Sequence, residues 1–486
     1  MSSPPPTPPP TLPSSRKEWR FIVTGTACEW AEMYRPGRYH PIHFGDTFKA
    51  GQYRVIRKLG DGSFSTVWLA VDSQNSRYVA LKVMMAKSSA AATTELSMYD
   101  VLAHQAPHDS FSKHILMPLD TFEHIGPNGT HRCIVFEPMA STVNSMVEEL
   151  ACHKNDRYNR QYPKLMAKKI LKHALSGLAF LHKNNVTHGD FQPGNLLSST
   201  NPSFQSVDEK ALRQEDPKTI DHIHRRDGKE DKWGPRYLAV DQKLHDYAEL
   251  GPNLFIKISD LGAAFWSDKP PKSTVTPLGL RAPELIFDET PSGPSIDIWS
   301  FGCLIYEFLV GQPLFMVWCM GDDEKDEADD GHLQDLNDIL EPLPDAWMSK
   351  WPRSHHYFGP NRERIIPPLP LNPKVDENVV KRDEKDGDTV PDSDMSDVDS
   401  VGSGADTEEG KEEGGDENDT GEDKDDDFKP KWVNDSLEVL FEQNKPDDID
   451  TEEAKVITEL IRSILQFEPS QRPSAEELLQ HPWFNK

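Results

Sequence analysis

Alternating apolar and polar positions predict a strand at Tyr53-Arg54-Val55-Ile56-Arg57-Lys58-Leu59 and another around Val79-Ala80-Leu81-Lys82-Val83. Residues 91–102 read as a helix. Further on, Leu254-Phe255-Ile256-Lys257-Ile258 is a third β-rich run, and an apolar helix opens at Ser295 and continues through Leu309. Residues 332–340 are amphipathic, and helical patterns close the chain at 436–444, 451–467 and 475–484. The pattern fails in three places. Residues 1–15 are Pro-rich, which suits neither helix nor sheet, and a polyproline-II-like disordered tail is expected over 1–30. Residues 198–253 are polar and of mixed charge, and residues 370–430 are rich in Asp, Glu, Gly and Ser with few apolar side chains, hence expected to be disordered.

Charge sharpens this division. The 486 residues carry a formal net charge of −28, and the span from 376 to 427 holds 23 acidic against 5 basic residues. The balance argues against a nucleic-acid-binding face and favours cationic partners. Five cysteines (Cys28, Cys133, Cys152, Cys303, Cys319) are scattered without a C-x-x-C, which fits a reduced compartment and no structural zinc. No apolar run approaches the ~20 residues of a membrane span, so a soluble intracellular protein is expected.

The candidate chemistry centres on His188-Gly189-Asp190-Phe191-Gln192-Pro193-Gly194-Asn195-Leu196-Leu197. Asp190 precedes Asn195 by five residues in a Gly/Pro loop, and Asp260-Leu261-Gly262 follows the third strand. Phosphoryl transfer calls for this set: one Asp to orient and deprotonate a hydroxyl, with an Asn oxygen and a second Asp to hold Mg²⁺ on the nucleotide phosphates. Upstream, Gly60 and Gly62 allow close backbone approach to a phosphate, and Phe64 can cap the loop tip; a plain hairpin turn is the alternative, since Ser65 stands where a third Gly would complete the motif. Lys82 is a cation among apolar residues and needs a partner, which Glu95 offers from the helix. That pair reads as phosphate-positioning, with a purely structural ion pair as the alternative.

In order and spacing these motifs resemble the eukaryotic protein kinases. Tyr34-Arg35-Pro36-Gly37, His40-Pro41, Gly45-Asp46, Arg57-Lys58-Leu59-Gly60, Phe64-Ser65-Thr66-Val67-Trp68-Leu69-Ala70 and Asp260-Leu261-Gly262 look like the SR-protein-kinase family in particular. The resemblance implies an α+β, two-lobed protein kinase fold, with a small β-rich lobe with one helix (53–136) and a larger, mainly helical lobe (140–486). An N-terminal extension (31–52) and insertions at 198–253 and about 318–432 complete the expected layout. Asp190 would be the catalytic base, Lys82 held by Glu95 would bind the α- and β-phosphates, and Asn195 and Asp260 would bind Mg²⁺. Leu59, Gly60, Asp61, Gly62, Ser63, Phe64, Ser65, Thr66 and Val67 would cover ATP. Ile134-Val135-Phe136-Glu137-Pro138-Met139 resembles the strand and hinge between lobes. Main chain near Glu137 and Met139 would then bind adenine, sandwiched by Val67, Ala80 and Leu197.

The same resemblance implies that Glu284 pairs with Arg472 and that Asp297 braces the catalytic loop. It implies Ser/Thr protein substrates that are Arg/Ser-rich or otherwise basic, splicing factors among them, a monomer, and a place in cytoplasm and nucleus. The acidic run 321–330 is read either as part of a docking groove for Arg-rich substrate or as a solvated loop, and His222-Ile223-His224-Arg225-Arg226 as solvated loop. Four positions depart from the common kinase pattern. Gln192 stands where a Lys usually neutralises the transferred phosphoryl group, Gly189 where an Arg usually grips a phosphorylated activation loop, and Pro277 and Leu280 where Thr and Tyr are usual. The loop is similar to that of aminoglycoside and choline phosphotransferases, which are active without that Lys. A nucleotide-binding pseudokinase scaffold is the alternative to an active enzyme, and a small-molecule phosphotransferase a third reading.

Overall fold

A computed structural model describes residues 7–23, 25–90, 92–150, 160–317, 319, 321, 324–365 and 433–485. The chain divides into two compact units, one of residues 1–316 and 437–486 and one of residues 317–436. The expected acidic segment 370–430 lies outside the described residues.

The larger unit begins with a six-stranded sheet in the order β1-β2-β3-β4-β6-β5. Its strands are β1 (Thr47–Phe48), β2 (Tyr53–Gly62), β3 (Ser65–Asp72), β4 (Arg77–Met84), β5 (Asp120–Gly126) and β6 (Gly129–Phe136), and its helix is α1 (Ala92–Gln105). Every pair in the sheet is antiparallel, and β2 and β3 form a hairpin that closes at the pair Gly62–Ser65. One face buries Phe48, Tyr53, Val55, Trp68, Ala70, Val79, Leu81, Val83 and Val135. Side chains alternate across a strand, so Ile56, Leu69 and Tyr78 project from the other face.

That second face explains the mixed-charge insertion. Phe204, Leu212 and Leu244 pack on Ile56, Leu69 and Tyr78, and Arg57 Nε donates to Leu212 O at 2.8 Å. The insertion therefore carries structure of its own: α4 (Glu209–Leu212) and the antiparallel pair β10 (Ile220–His222) and β11 (Tyr237–Ala239). The solvated-loop reading of 222–226 fits the exposed His222, His224 and Arg226 but fails for the two residues between them. Ile223 is buried against Phe21, Tyr34, Tyr39 and Leu238, and the Arg225 guanidinium is enclosed between Asp227 and Asp231. The disorder expected over 1–30 is likewise overturned from Phe21 onward, while residues 1–6 lie outside the described residues. Phe21 bridges to Arg225, Arg20 pairs with Glu32 and Asp231, and Trp19 meets Trp30 edge-on at 5.7 Å. N-terminal segment and insertion fold as partners, joined by Phe21 to Arg225 and by Arg20 to Asp231.

After β6 the chain runs through β7 (Met139–Thr142) and α2 (Val143–Met146) into the 20-residue α3 (Lys164–Lys183). Its buried stripe (Ala167, Ile170, Leu171, Ala174, Leu175, Leu178, Leu181) recurs at helical spacing, so α3 forms the spine of the helical lobe. Short strands cross its end: β8 (Val186–Thr187) pairs with β13 (Phe265–Trp266), and β9 (Leu196–Ser199) lies between β7 and β12 (Ile256–Ile258). Helices α5 (Pro283–Ile286) and α6 (Pro294–Val310) follow, α6 buried over most of its length. The second unit holds α7 (Lys325–Asp335), which runs into a wider turn over Leu336–Leu340, and α8 (Asp345–Met348). Part of the run read as docking groove or loop is therefore helix with buried acids. Asp330 is enclosed by Trp351 Nε1 at 2.6 Å, Arg353 Nε at 2.8 Å and Tyr357 OH at 3.0 Å. The larger unit ends in α9 (Leu437–Asn444), α10 (Thr451–Ile464), α11 (Ala475–Leu479) and α12 (Pro482–Asn485).

Candidate active site

The loop between β8 and β9 is held open by its surroundings. Asp297, buried at the first turn of α6, accepts from His188 N at 2.8 Å, Gly189 N at 2.9 Å and His182 Nε2 at 2.9 Å. Gly189 has φ +76°, and a Cβ there would lie 2.9 Å from Ala263 O. Only glycine adopts that conformation without strain, which accounts for the absence of Arg. Thr276, itself buried, donates to Gly189 O at 2.7 Å and so pins the activation segment to the loop with a hydroxyl instead of a cation. Arg472 grips Glu284 through both guanidinium arms at 2.7 and 2.8 Å, wholly buried, as the resemblance implied.

Within this frame both oxygens of Asp190 are occupied. Gln192 Nε2 donates to Oδ1 at 2.7 Å and Asn195 Nδ2 donates to Oδ2 at 2.8 Å. Burial is the main influence on Asp190 and pushes its carboxyl above the usual carboxylate range; His188 and the two amides oppose the shift and Asp260 adds to it. Because Asn195 spends its NH₂ on Asp190, its carbonyl oxygen is left as an acceptor. Asp260 ends the run from β12 in a left-handed conformation, φ 59° and ψ 79°, in which a non-glycine residue is strained. Its Oδ1 accepts from Lys82 Nζ at 2.8 Å and from Gly262 N at 3.2 Å. Burial alone would raise the Asp260 carboxyl, but Lys82 holds it below the usual range.

Lys82 therefore has a partner other than the one expected. Its ion pair is with Asp260, whereas Glu95, 4% exposed on α1, leaves Oε1 without a hydrogen bond. Glu95 faces Lys82 electrostatically without closing the pair. Burial lifts its carboxyl and Lys82 pulls it partly back. Burial would lower the Lys82 ammonium, and Asp260 and Glu95 together reverse that.

Val67 sits opposite Lys82 across the β3–β4 ladder, and Ala80 lies two residues before Lys82, so the three share one face of the sheet. Leu197 on β9 and Met139 on β7 belong to the adjoining sheet, where Thr142 pairs with Leu197 and Met139 with Ser199. Glu137 is tied by an ion pair to Lys257 of β12. The hairpin Leu59, Gly60, Asp61, Gly62, Ser63, Phe64, Ser65, Thr66 is fixed from outside. Tyr39 OH donates to Gly62 O at 2.6 Å, and Met85 N donates to Phe64 O at 2.8 Å. Lys58, 0% exposed, is surrounded by Glu29 at 2.6 Å, Asp61 at 2.7 Å and Asp241 at 3.0 Å. These anchors escaped the sequence reading; the one signal was a Lys at a position that the β2 alternation turns inward.

A β-rich lobe and a helical lobe that bring Lys82 onto Asp260 and Asn195 onto Asp190 define the class: the chain has a protein kinase domain, whose family model matches residues 53–217 and 244–484. A crystal structure of a kinase domain superposes with a TM-score of 0.53 at 20% identity, covering 92% of this chain and 98% of that one, which shows the shared fold. Within the class, the chain is 31% identical over 346 residues to the serine/threonine-protein kinase SRPK of Physarum polycephalum, covering 69% of this chain and 77% of that protein. It is 29% identical to protein kinase dsk1 of Schizosaccharomyces pombe, over 59% of this chain and 66% of that protein. It is 36% identical over 167 residues to human SRSF protein kinase 3, of which it covers 28%. The chain belongs to the protein kinase domain family and, within it, to the SRPK-type serine/threonine kinases.

Proposed function

We propose that this kinase transfers the γ-phosphate of ATP to serine and threonine hydroxyls of basic, Arg/Ser-rich proteins, with Asp190 as the base. The observation that carries the reading is the convergence of Lys82, the loop pair Asp190 and Asn195, and Asp260 from three separate stretches of chain. Asp190 accepts the proton of the incoming hydroxyl and orients it. The Asn195 carbonyl oxygen and the Asp260 carboxylate are hard oxygen donors suited to Mg²⁺, which prefers few protein ligands alongside phosphates and water. Bound with the nucleotide, Mg²⁺ neutralises charge on the transferred group. Lys82 moves its ammonium from Asp260 to the α- and β-phosphates, with Glu95 behind it as the buried counter-charge. Leu59 to Val67 cover the phosphates, and Val67, Ala80, Leu197 and the main chain near Glu137 and Met139 take the adenine.

The substrate class rests on two supports: relatives whose names are SRPK and SRSF protein kinase, and a net charge of −28 that favours cationic partners. Splicing factors would be the Arg/Ser-rich partners, and the location would be cytoplasm and nucleus, both proposed on the likeness to SRPK-type kinases alone. The test compares initial rates of phosphate transfer to an Arg-Ser repeat protein and to a Lys-rich protein without Ser-Arg dipeptides. Preference for the repeat protein supports the substrate class. Equal or reversed rates keep the kinase and discard that class.

A further inference from the structure

Gln192 occupies a position where a cation is usual, and its side chain is committed. Nε2 lies 2.7 Å from Asp190 Oδ1, while Asn195 Nδ2 takes Oδ2 at 2.8 Å. A carboxylate only accepts, so the Gln192 amide must present its N–H here. With a donor on each oxygen the carboxylate plane is fixed; with Asn195 alone it can turn about the broad terminal torsion of an Asp. Among the described residues no cation pairs with Asp190.

The bond is not needed for the loop's own fold. The turn Pro193–Asn195 is closed by main chain, Asn195 N to Gln192 O at 3.0 Å, and the Gln192 side chain caps nothing.

We propose that Gln192 is a positioning residue of the phosphotransfer site, whose side-chain amide fixes the Asp190 carboxylate in the plane needed to receive the hydroxyl proton. This rests on Asp190 being the base. Gln192 acts through geometry, where a Lys would add charge.

The test uses the full chain with Mg-ATP and an Arg-Ser repeat protein. Gln192→Met keeps length and flexibility without a donor, and Gln192→Lys restores an N–H donor on a chain of similar reach. Gln192→Met is expected to lower kcat roughly 10- to 100-fold, the scale of a misplaced catalytic group, with KM for ATP and the melting temperature unchanged. Gln192→Lys is expected to recover most of kcat. Wild-type kcat in Gln192→Met, an equal loss in Gln192→Lys, or a loss matched by a fall in melting temperature overturns the proposal while Asp190→Asn remains silent beside an active wild type. No transfer by the wild type overturns the underlying reading and this one together.

Discussion

Lys58 of β2 and Asp241 of the insertion meet at 3.0 Å, and the same ammonium holds Glu29 of the N-terminal segment 1–30 at 2.6 Å. Three segments far apart in sequence thus share one buried charge at the base of the glycine hairpin. Replacing it with an apolar side chain leaves Glu29 buried without a counter-ion. Breaking one side of such a pair costs about 3–5 kcal/mol. Lys58→Met is expected to lower the melting temperature sharply, measured by differential scanning calorimetry. An unchanged transition would show the three segments to be independent of one another.

Arg472 and Glu284 present the same physics in the helical lobe, both fully buried and joined by two hydrogen bonds. Glu284→Gln leaves the guanidinium facing a neutral amide, and a loss of about 3–5 kcal/mol is expected from denaturant midpoints. A loss below about 1 kcal/mol, typical of exposed pairs, would contradict the burial described.

Restoring the commoner residue in Gly189→Arg is expected to harm this enzyme. The backbone sits at φ +76° and the new Cβ would press on Ala263 O and the Phe265 ring. Strain of this kind costs on the order of 1–3 kcal/mol. Both stability and kcat should fall, the latter because His188 and Gly189 are joined to Asp297. A gain in activity would contradict the geometry.

The pH dependence of stability should reflect His114 and His173, which bracket the strand leading to Asp260. His114 lies flat against Phe255 and its Nδ1 bonds Ile256 O at 3.0 Å; His173 approaches Ile256 N. Burial lowers His114 to about 4 and His173 to about 3, helped by Lys113 and other nearby lysines. Between about pH 6.5 and 4 the unfolded chain therefore binds more protons than the folded one, so stability falls as the medium is acidified. A double variant, His114→Gln with His173→Gln, should show a flatter dependence of melting temperature on pH across that window. An unaltered slope would place the acid sensitivity elsewhere.

The residues that the structure brings into contact, Asp190 with Asn195 and Asp260 with Lys82, could be picked out because the spacing is local: Asp190 to Asn195 within one loop, and Asp260 directly after a strand. Strands β2, β4 and β12 and helices α1, α6, α9 and α10 were legible for the same reason, their periodicity being local, whereas α3 was not read from the sequence. The partner of Lys82 was not, since the choice between Glu95 and Asp260 is made by how the lobes close. The insertion and the extension were misread for a different reason. Phe21, Ile223, Phe204, Leu212 and Leu244 are single apolar residues in polar stretches, with no period to reveal them. A face of β2, β3 and β4 buries Phe204, Leu212 and Leu244, while Phe21 and Ile223 bury each other with Tyr34, Tyr39 and Leu238, all supplied by distant sequence.

The central claim is that Asp190 receives the hydroxyl proton in transfer from ATP. Its most direct test is the rate of ³²P incorporation from Mg-ATP into an Arg-Ser repeat protein by the wild type and by Asp190→Asn, with nucleotide binding measured on both. The account predicts steady incorporation by the wild type and a loss of at least about 100-fold in the variant, with ATP still bound. Equal incorporation by both, or silence from both with ATP bound, would contradict it.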